Sequence, residues 1–510
     1  MKKILCALLL LTLTQASAQL ENSNWIFGQN TGLRFPDISA PPEALTGTSI
    51  FSTEACASIS NQSGELLFYS DGETVYNRLG DVMETGLNGS QTSTQGALIV
   101  PKPGSTTNYY LFTSGEYASF APKGFYYSEI DMTLDGGLGG VVVGNKNIPL
   151  RDPSGIAITA SQSEKITSIS TPDIDYIWVV INHEDSFYSY KVSSLGVSYT
   201  PVYISTSFTS GDSQGAMKIS PDGEKLALAY SGLFTENKRV DLYDFDLETG
   251  RIDNRVNIYE TLFNIDSPYG LEFSADSQNV YFSTDRSLYQ FRTLNKKDEL
   301  TYGKNKSKIY QYNLPTKSLE LVVEVASTDG FKGLQRGIDD KIYVSQSTNF
   351  LSIIHFPNET ADLCGFEFEY LDLEMNSNWN FPQWVHKVCN KEWAFDFGSV
   401  LSNNTTHVIR DIVTDTEGNV YVMGAQLDNQ SAQVTAAIGA DAINHSRFFI
   451  AKFNTCKELE AYHTFTEPGP SQYGKLRIGS DDRLYAEIHG NNLNVKAIDK
   501  TTLTATWVQN

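Results

Sequence analysis

The sequence predicts an all-β fold built from a repeated strand unit. Apolar runs of about four to seven residues are separated by Gly, Ser, Thr, Asn and Asp, and helical periodicity is nearly absent. The 27 Tyr and 27 Phe residues add aromatic content that favours strands. Residues 63–72, Ser-Gly-Glu-Leu-Leu-Phe-Tyr-Ser-Asp-Gly, show the unit clearly, because a glycine turn begins the apolar run and an Asp-Gly turn ends it.

The unit recurs along the chain, and one apolar residue marks each copy. These anchors are Leu66, Tyr110, Ile177, Leu226, Val280, Ile342, Val420 and Leu484. Their spacing fits propeller blades of ~40–50 residues with loops of variable length. A preceding strand, such as Gln95–Val100 or Gln214–Ile219, and a following strand, such as Val240–Phe245, complete a meander. We therefore predict a β-propeller.

Six anchors precede residue 390, and the two ends of this region are expected to supply a seventh blade. Asn24–Gly28 and Phe381–Val385 are predicted to pair, because such pairing closes the ring and removes an exposed sheet edge. Residues 19–390 are thus predicted to form a seven-bladed propeller. Residues 391–510 carry two further anchors, too few for a ring, and are predicted to form a smaller, partial propeller-like β domain.

Residues 1–18 have the pattern of a secretory signal peptide. Lys2 and Lys3 precede an apolar run from Ile4 to Leu13, and Ala16–Ala18 offers small residues for cleavage. The apolar core is too short to span a bilayer, and no later apolar run is long enough, so no membrane span is expected in the mature chain. We expect a secreted, extracellular protein associated with the cell surface.

Composition limits the partners and cofactors. Acidic residues outnumber basic ones, 60 to 38, and the formal net charge is −22, so nucleic acid is not an expected partner. No spacing of His or Cys predicts a metal site, and no cofactor is expected beyond weak surface Ca²⁺. Cys364 and Cys389 form the most plausible disulfide in an exported chain, with buried free thiols as an equal alternative.

Candidate binding residues come from the propeller topology. Side chains at the start of inner strands face the mouth of the central channel, where amide, carboxyl and phenol groups are suited to bind a sugar or a peptide. The candidates are Glu54, Gln95, Gln214, Tyr269 and Gln335. The favoured alternative is that these side chains cap backbone groups of neighbouring blades. Asn182–Asp185 and Asp131–Gly137 are expected to be turns, and no catalytic or metal-binding residue is assigned.

Several segments between residues 22 and 388 also carry a family resemblance. They include Asn24–Leu33, Ala55–Ser60, Leu67–Gly72, Val75–Asn77, Ser93–Gly104, Ile130–Gly139 and Ile219–Gly223. In this order they resemble the N-terminal propeller-like region of large secreted surface proteins of Bacteroidetes, type 9 secretion substrates that often carry PKD modules. The resemblance implies a cell-surface protein of adhesin or scaffold type and brings no catalytic residues. Residues 391–510 more weakly resemble bacterial propeller repeats, through Asp411–Gly424.

The sequence departs from that family in two places. The Gly-Leu-Pro-aromatic segment that often ends the region is here Asn380-Phe-Pro-Gln-Trp384, and the C-terminal residues match neither a sorting domain nor a PKD module. We therefore expect either a piece of a longer protein or a different route of export and retention.

These observations predict a non-enzymatic secreted propeller with a binding, adhesion or scaffold role and a protein or glycan partner at the cell surface. One alternative is a propeller hydrolase or lactonase with its active site at the channel mouth. Glu54 is the only acid recognised at an inner-strand start, which counts against the enzyme, although long loops are able to supply others. Another alternative is a structural subunit of a surface, secretion or gliding assembly with outer-membrane partners.

Overall fold

The computed structural model describes most of the chain with internal gaps. The described residues are 20–36, 40–116, 123–160, 163–171, 175–184, 186–205, 214–231, 238–261, 266–285, 306–326, 330–388, 405–415, 419–428, 445–453, 459–471, 473–479, 483–489, 493–500, 503 and 505–507. The predicted signal peptide lies outside them. The described residues are almost entirely strands and loops, with 3₁₀ helices η1 (Leu20–Asn22) and η2 (Asp135–Gly137), and none of their helices is long and apolar enough to cross a membrane.

Two compact units divide the chain after Val388. Seven antiparallel sheets succeed one another in the described part of the first unit, and we call them blades 1 to 7. Blade 1 contains β1 (Asn24–Phe27), β2 (Gln29–Arg34) and β3 (Glu43–Phe51). Blade 2 contains β4 (Ala57–Ser60), β5 (Leu66–Ser70), β6 (Thr74–Asn77) and β7 (Val82–Thr85). Blade 3 contains β8 (Ala97–Pro101), β9 (Asn108–Ser114), β10 (Phe125–Asp131), β11 (Gly140–Val141) and β12 (Ile148–Pro149).

The remaining blades repeat the same meander. Blade 4 contains β13 (Ile166–Ser170), β14 (Tyr176–His183), β15 (Ser186–Ser193), β16 (Gly196–Val197) and β17 (Val202–Ser205). Blade 5 contains β18 (Met217–Ile219), β19 (Lys225–Tyr230), β20 (Lys238–Phe245) and β21 (Ile252–Thr261). Blade 6 contains β22 (Ser267–Phe273), β23 (Asn279–Asp285), β24 (Lys306–Asn313) and β25 (Ser318–Ala326). Blade 7 contains β26 (Leu334–Arg336), β27 (Ile342–Val344), β28 (Phe350–Ile354) and β29 (Phe366–Asp372).

Apolar cores between successive blades close these sheets into a ring. Separate clusters join blades 2 and 3, 3 and 4, 4 and 5, 5 and 6, and 6 and 7. A further cluster joins blade 7 to blade 1 and reaches blade 2, for example through Tyr343, Trp25 and Tyr69. We call the first strand of each blade the inner strand, and successive inner strands from β1 of blade 1 to β26 of blade 7 are in contact. The predicted all-β propeller is therefore confirmed, and it has seven blades.

The predicted anchors lie on the second strand of their sheets, as the repeat pattern required. The repeat at residues 63–72 forms β5 with a turn at each end. At its second turn, Asp71 Oδ1 accepts hydrogen bonds from the backbone N–H groups of Glu73 (2.9 Å) and Thr74 (2.7 Å), and Gly72 has a φ of +87°. Asp71 and Gly72 therefore shape a hairpin.

The predicted pairing between the chain ends is wrong. β1 pairs with β2, which follows it after a turn at Gly28, so blade 1 is built wholly from the N-terminal region. Phe381–Val385 is not a strand, and β30 (His386–Lys387) instead pairs in parallel with β13 of blade 4. The two ends still meet through side chains, because the Phe381 ring lies 5.0 Å from that of Phe27. Pro382 has no N–H to offer a strand ladder.

The second unit contains two four-stranded meanders among its described residues. The first consists of β31 (Thr405–Thr414), β32 (Val420–Asp428), β33 (His445–Phe453) and β34 (Leu459–Ser471). The second consists of β35 (Tyr473–Ile478), β36 (Leu484–His489), β37 (Leu493–Ile498) and β38 (Ala505–Trp507). An apolar cluster that includes Tyr421, Met423, Ile450 and Leu484 lies between them. This blade-like pair matches the predicted propeller-like β segment.

Candidate functional site at the propeller centre

A segment of the chain itself lies among the inner strands. We call Asn376–Val388 the channel segment. Its Asn380 Nδ2 donates hydrogen bonds to the Thr94 carbonyl before blade 3 (2.8 Å) and to Tyr269 Oη in blade 6 (2.7 Å). Its last residues, β30, pair with blade 4. The centre of the ring is therefore occupied by protein.

All five predicted channel-mouth residues are buried, with at most 9% of their surface exposed. They lie at or near the start of inner strands, as the sequence indicated. Glu54 and Tyr269 are hydrogen-bonded to each other, whereas Gln95 and Gln335 bond to other groups of the ring. Each is described below with its partners; their assignment as ligand-binding residues stays a prediction.

Glu54 and Tyr269 form a buried acid–phenol pair. Tyr269 Oη donates a hydrogen bond of 2.7 Å to Glu54 Oε2. Burial is the largest cause of a pKa well above the ordinary value for Glu54, and the nearby Glu164 carboxyl raises that pKa further, while the bond from Tyr269 opposes the rise. Burial also raises the pKa of Tyr269. Both shifts favour the protonated form of these two side chains.

Glu164 is a second buried acid that the sequence interpretation missed. It lies just before β13, and its Oε2 accepts hydrogen bonds from Thr94 N (2.8 Å) and Thr94 Oγ1 (2.7 Å). The inner strands of blades 3 and 5 begin with Gln-Gly-Ala, but blade 4 begins with Ser163-Glu-Lys165, so its inner strand was not recognised. A search for the strand before each anchor would have found it. The argument that Glu54 is the only acid at an inner-strand start is wrong.

Gln95 caps the inner strand of blade 5, two blades away along the ring. Its Oε1 accepts a hydrogen bond from Met217 N and its Nε2 donates one to Met217 O, both at 3.0 Å. Nε2 also donates to Gln383 Oε1 of the channel segment at 2.7 Å. The side-chain amide thus pairs with backbone groups of β18, as in the capping alternative weighed from the sequence, although the capped strand belongs to blade 5 and not to an adjacent blade.

Gln335 belongs to a buried group that includes two charged residues, Lys218 and Glu272, of the inner strands of blades 5 and 6. Lys218 Nζ donates to Gln335 Oε1 at 2.5 Å and lies 3.2 Å from Glu272 Oε2. Glu272 Oε2 also accepts a hydrogen bond of 3.2 Å from Arg336 N. Lys218 and Glu272, like Glu164, were not predicted from the sequence.

Gln214 has the least complete set of partners of the five. Its backbone carbonyl accepts a hydrogen bond of 3.0 Å from the buried Lys165 Nζ. Its side-chain Oε1 is buried without a hydrogen-bond partner among the described residues. Gln214 therefore offers a hydrogen-bond acceptor inside the ring.

His386 adds an ionisable group to the channel segment. Arg336 Nη2 donates to His386 Nδ1 at 3.0 Å, which leaves the ring proton of the neutral imidazole on Nε2. Burial is the largest cause of a His386 pKa well below its ordinary value, and the positive charges of Arg336 and Lys218 lower it further. The Trp384 ring packs 4.4 Å from the imidazole. The imidazole is therefore neutral near pH 7.

Turns are present in both predicted segments, although Asn182 and His183 are paired strand residues at the end of β14. His183 ends β14 and Glu184 occupies the turn with a φ of +52°, while Asp185 lies outside the described residues. Asp131 Oδ1 accepts a hydrogen bond of 2.8 Å from Thr133 N, and Gly137 has a φ of +91°. Among the described residues, no three His, Cys, Asp or Glu side chains are grouped to hold a metal ion.

Cys364 is a buried free thiol, which is the alternative that the sequence left open beside a Cys364–Cys389 disulfide. Its Sγ lies 3.2 Å from the Ala361 carbonyl, in a cluster between blades 6 and 7. Val388, which precedes Cys389, is held at blade 4 by a hydrogen bond from its N–H to Ser170 O (3.1 Å). Cys389 itself lies outside the described residues. Cys56 is also a buried free thiol.

Comparison with known proteins gives no family. No family model and no curated protein matches the chain. Similar solved structures include a proposed 6-phosphogluconolactonase from Bacteroides uniformis, with 11% identity, a TM-score of 0.42, and coverage of 70% of this chain and 98% of that one. The periplasmic gluconolactonase of Pseudomonas aeruginosa has 14% identity, a TM-score of 0.32, and coverage of 78% and 95%.

A third similar structure is the β-propeller domain of a fungal Swd1 protein from Myceliophteria thermophila. It has 10% identity and a TM-score of 0.31, with coverage of 79% of this chain and 96% of that domain. At such identities and TM-scores these likenesses carry no argument about activity. The propeller assignment rests on the sheets and the cores between them.

Proposed function

We propose that this chain is a secreted, non-enzymatic β-propeller that acts in binding or adhesion at the surface of a Bacteroidetes-type cell. The observation that carries the proposal is the occupied centre of the ring. A propeller hydrolase needs acids open to substrate at the channel mouth, whereas here Glu54, Gln95 and Tyr269 are buried and bonded to protein groups. Such groups hold blades together and leave the outer surface for recognition.

The sequence supports the location and the class of partner. The leader pattern of residues 1–18 and the resemblance over residues 22–388 favour export to the cell surface. The acid excess favours solubility and argues against nucleic acid as partner. A protein or a glycan is the proposed ligand. A subunit of a secretion or gliding assembly with outer-membrane partners stays as an alternative within the same class.

The buried acid pair favours a second candidate function, hydrolysis. A carboxyl group whose pKa is raised by burial is better suited to act as a general acid than an exposed one, and burial raises the pKa of Glu54 beside Tyr269. Glu164 supplies a second carboxyl near it. Substrate would reach this pair only if Asn380 of the channel segment moved from Tyr269.

One pair of assays separates the two functions. Purified chain beginning at Gln19 is tested for binding to arrays of glycans and extracellular proteins, and for turnover of lactone and ester substrates. We expect saturable binding without turnover, and equal binding by Glu54→Gln and by Glu43→Gln, a matched change at an exposed residue of β3. Turnover that Glu54→Gln abolishes while circular dichroism is unchanged would establish the hydrolase. Absence of binding to every probe would refute the adhesion proposal.

A further inference from the structure

We propose that the central channel is a binding site for an extended peptide and that the channel segment occupies it as a ligand carried in cis. This inference goes beyond surface binding, since it concerns recognition inside the ring. It commits to one occupant, Asn376–Val388 of the same chain.

The first half of the segment is held at the mouth by loops that precede inner strands. Trp379 N donates to Thr53 O at 3.0 Å, and Trp379 O accepts from Gly333 N at 2.7 Å. Asn378 Nδ2 donates to Ser52 O at 2.6 Å. These bonds join the segment to blades 2 and 7 at the same time, and two of the three use its backbone, as in peptide recognition by strand addition.

The second half is held by side chains and then by a strand. Asn380 bonds to blades 3 and 6, and Gln383 bonds to Gln95 of blade 3. His386 and Lys387 then pair in parallel with Ile169 and Ser170 of blade 4. The segment therefore contacts blades on every side of the ring through backbone groups and three amide side chains, which define the pattern Asn-x-Asn-x-x-Gln from residue 378 to residue 383.

The join between the segment and blade 7 is short and exposed. Glu374 is exposed, has a φ of +62° and lies two residues after the end of β29, and Met375 is 40% exposed. All of the contacts described between the segment and the blades are non-covalent, so after a cut at this turn the segment is joined covalently only to the residues that follow Val388 and is held to the blades by recognition alone. Within the segment, the Gln383 Nε2 and Trp384 Nε1 donors are buried without a partner among the described residues. These unpaired donors lower the affinity below that of a fully bonded strand, which favours exchange.

The test uses the full chain cut after folding. A site for a specific protease is inserted between Glu374 and Met375, and the native protein is cleaved and passed over a size-exclusion column. We expect both pieces to elute together with unchanged near-UV circular dichroism. A fluorescent peptide of residues 375–388 is then added in excess during brief warming. With the nicked protein, the peptide should bind in the channel and its fluorescence anisotropy should rise. With the uncut protein, the anisotropy of the peptide should not change.

Variant peptides show whether the contacts described above provide the recognition. Peptides carrying Asn380→Leu or Gln383→Leu should bind roughly tenfold more weakly, whereas Met375→Ala, at an exposed residue, should bind equally. Separation or unfolding of the nicked protein would overturn the proposal, because the segment would not then be held as a ligand. Equal binding of a scrambled peptide would also overturn the proposal, because recognition would then not depend on the sequence of the segment. Co-elution of the two pieces that no peptide disturbs would overturn it as well, since residues 389–510 would then account for the association.

Discussion

Replacing Gln95 by leucine is expected to destabilise the propeller strongly, although leucine is apolar and of similar size. Gln95 makes three hydrogen bonds, two of them to the N–H and C=O of Met217 on the inner edge of β18. Gln95→Leu leaves both backbone groups buried and unpaired. An unpaired buried polar group costs about 1–3 kcal/mol, so the expected loss of unfolding free energy is about 2–6 kcal/mol.

Urea unfolding measured by near-UV circular dichroism gives the free energy, and amide exchange read by mass spectrometry locates the change. Protection of the peptide that contains Met217 should fall in Gln95→Leu. Gln62→Leu is the matched control, since Gln62 is exposed in the turn before β5, and its effect should stay within about 0.5 kcal/mol. A loss below about 1 kcal/mol in Gln95→Leu with Met217 still protected would refute the reasoning.

Three further predictions concern ionisable groups. The pKa of Glu54 in the folded state lies above its ordinary value of 4.5, so the wild type should lose stability as the pH rises above 4.5. Glu54→Gln should flatten that part of the pH profile of the urea midpoint, and parallel profiles of the two proteins would contradict this. The pKa of His386 lies below 6.5, so the free energy of unfolding should fall as the pH drops below 6.5. His386→Gln keeps an acceptor for Arg336 and should remove this dependence of stability on pH, and an unchanged dependence would count against the prediction. Cys364 should label with iodoacetamide only after denaturation, with or without prior reduction, whereas a linked Cys364–Cys389 peptide in the mass spectrum would disprove the free thiol.

The repeated strands were predictable because their signal is local. In residues 63–72 the glycine turn, the apolar run and the Asp-Gly turn occur within ten positions, and the side chain of Asp71 caps its own hairpin. The same holds for the other anchors, each on the second strand of its sheet. Local hydrogen bonding and alternation fix such a unit before any distant contact forms.

Blade 1 and the channel segment were not predicted, because long-range contacts decide them. Phe27 and Phe381 would be close together either as residues of paired strands or as side chains packed in one cluster. No short sequence pattern near either residue distinguishes these two arrangements. Gly28 is such a mark in retrospect: its φ is +64°, and a Cβ there would lie 2.4 Å from Asn376 O. The glycine both turns β1 into β2 and admits the backbone of the channel segment.

The charges at the centre of the ring are better explained by specificity than by net stability. Lys218 and Glu272 lie 3.2 Å apart with at most 7% of either side chain exposed, where desolvation offsets most of the gain from pairing. Removing one partner alone would leave an unpaired buried charge, so Lys218 in blade 5 requires Glu272 in blade 6. In the same way, the side-chain amide of Gln95 in blade 3 requires the backbone of Met217 in blade 5 as its hydrogen-bond partner. Apolar side chains would tolerate several packings of similar blades around the ring. We infer that these polar pairs select one register between blades, and that the channel segment, which bonds to blades 2, 3, 4, 6 and 7, completes that selection.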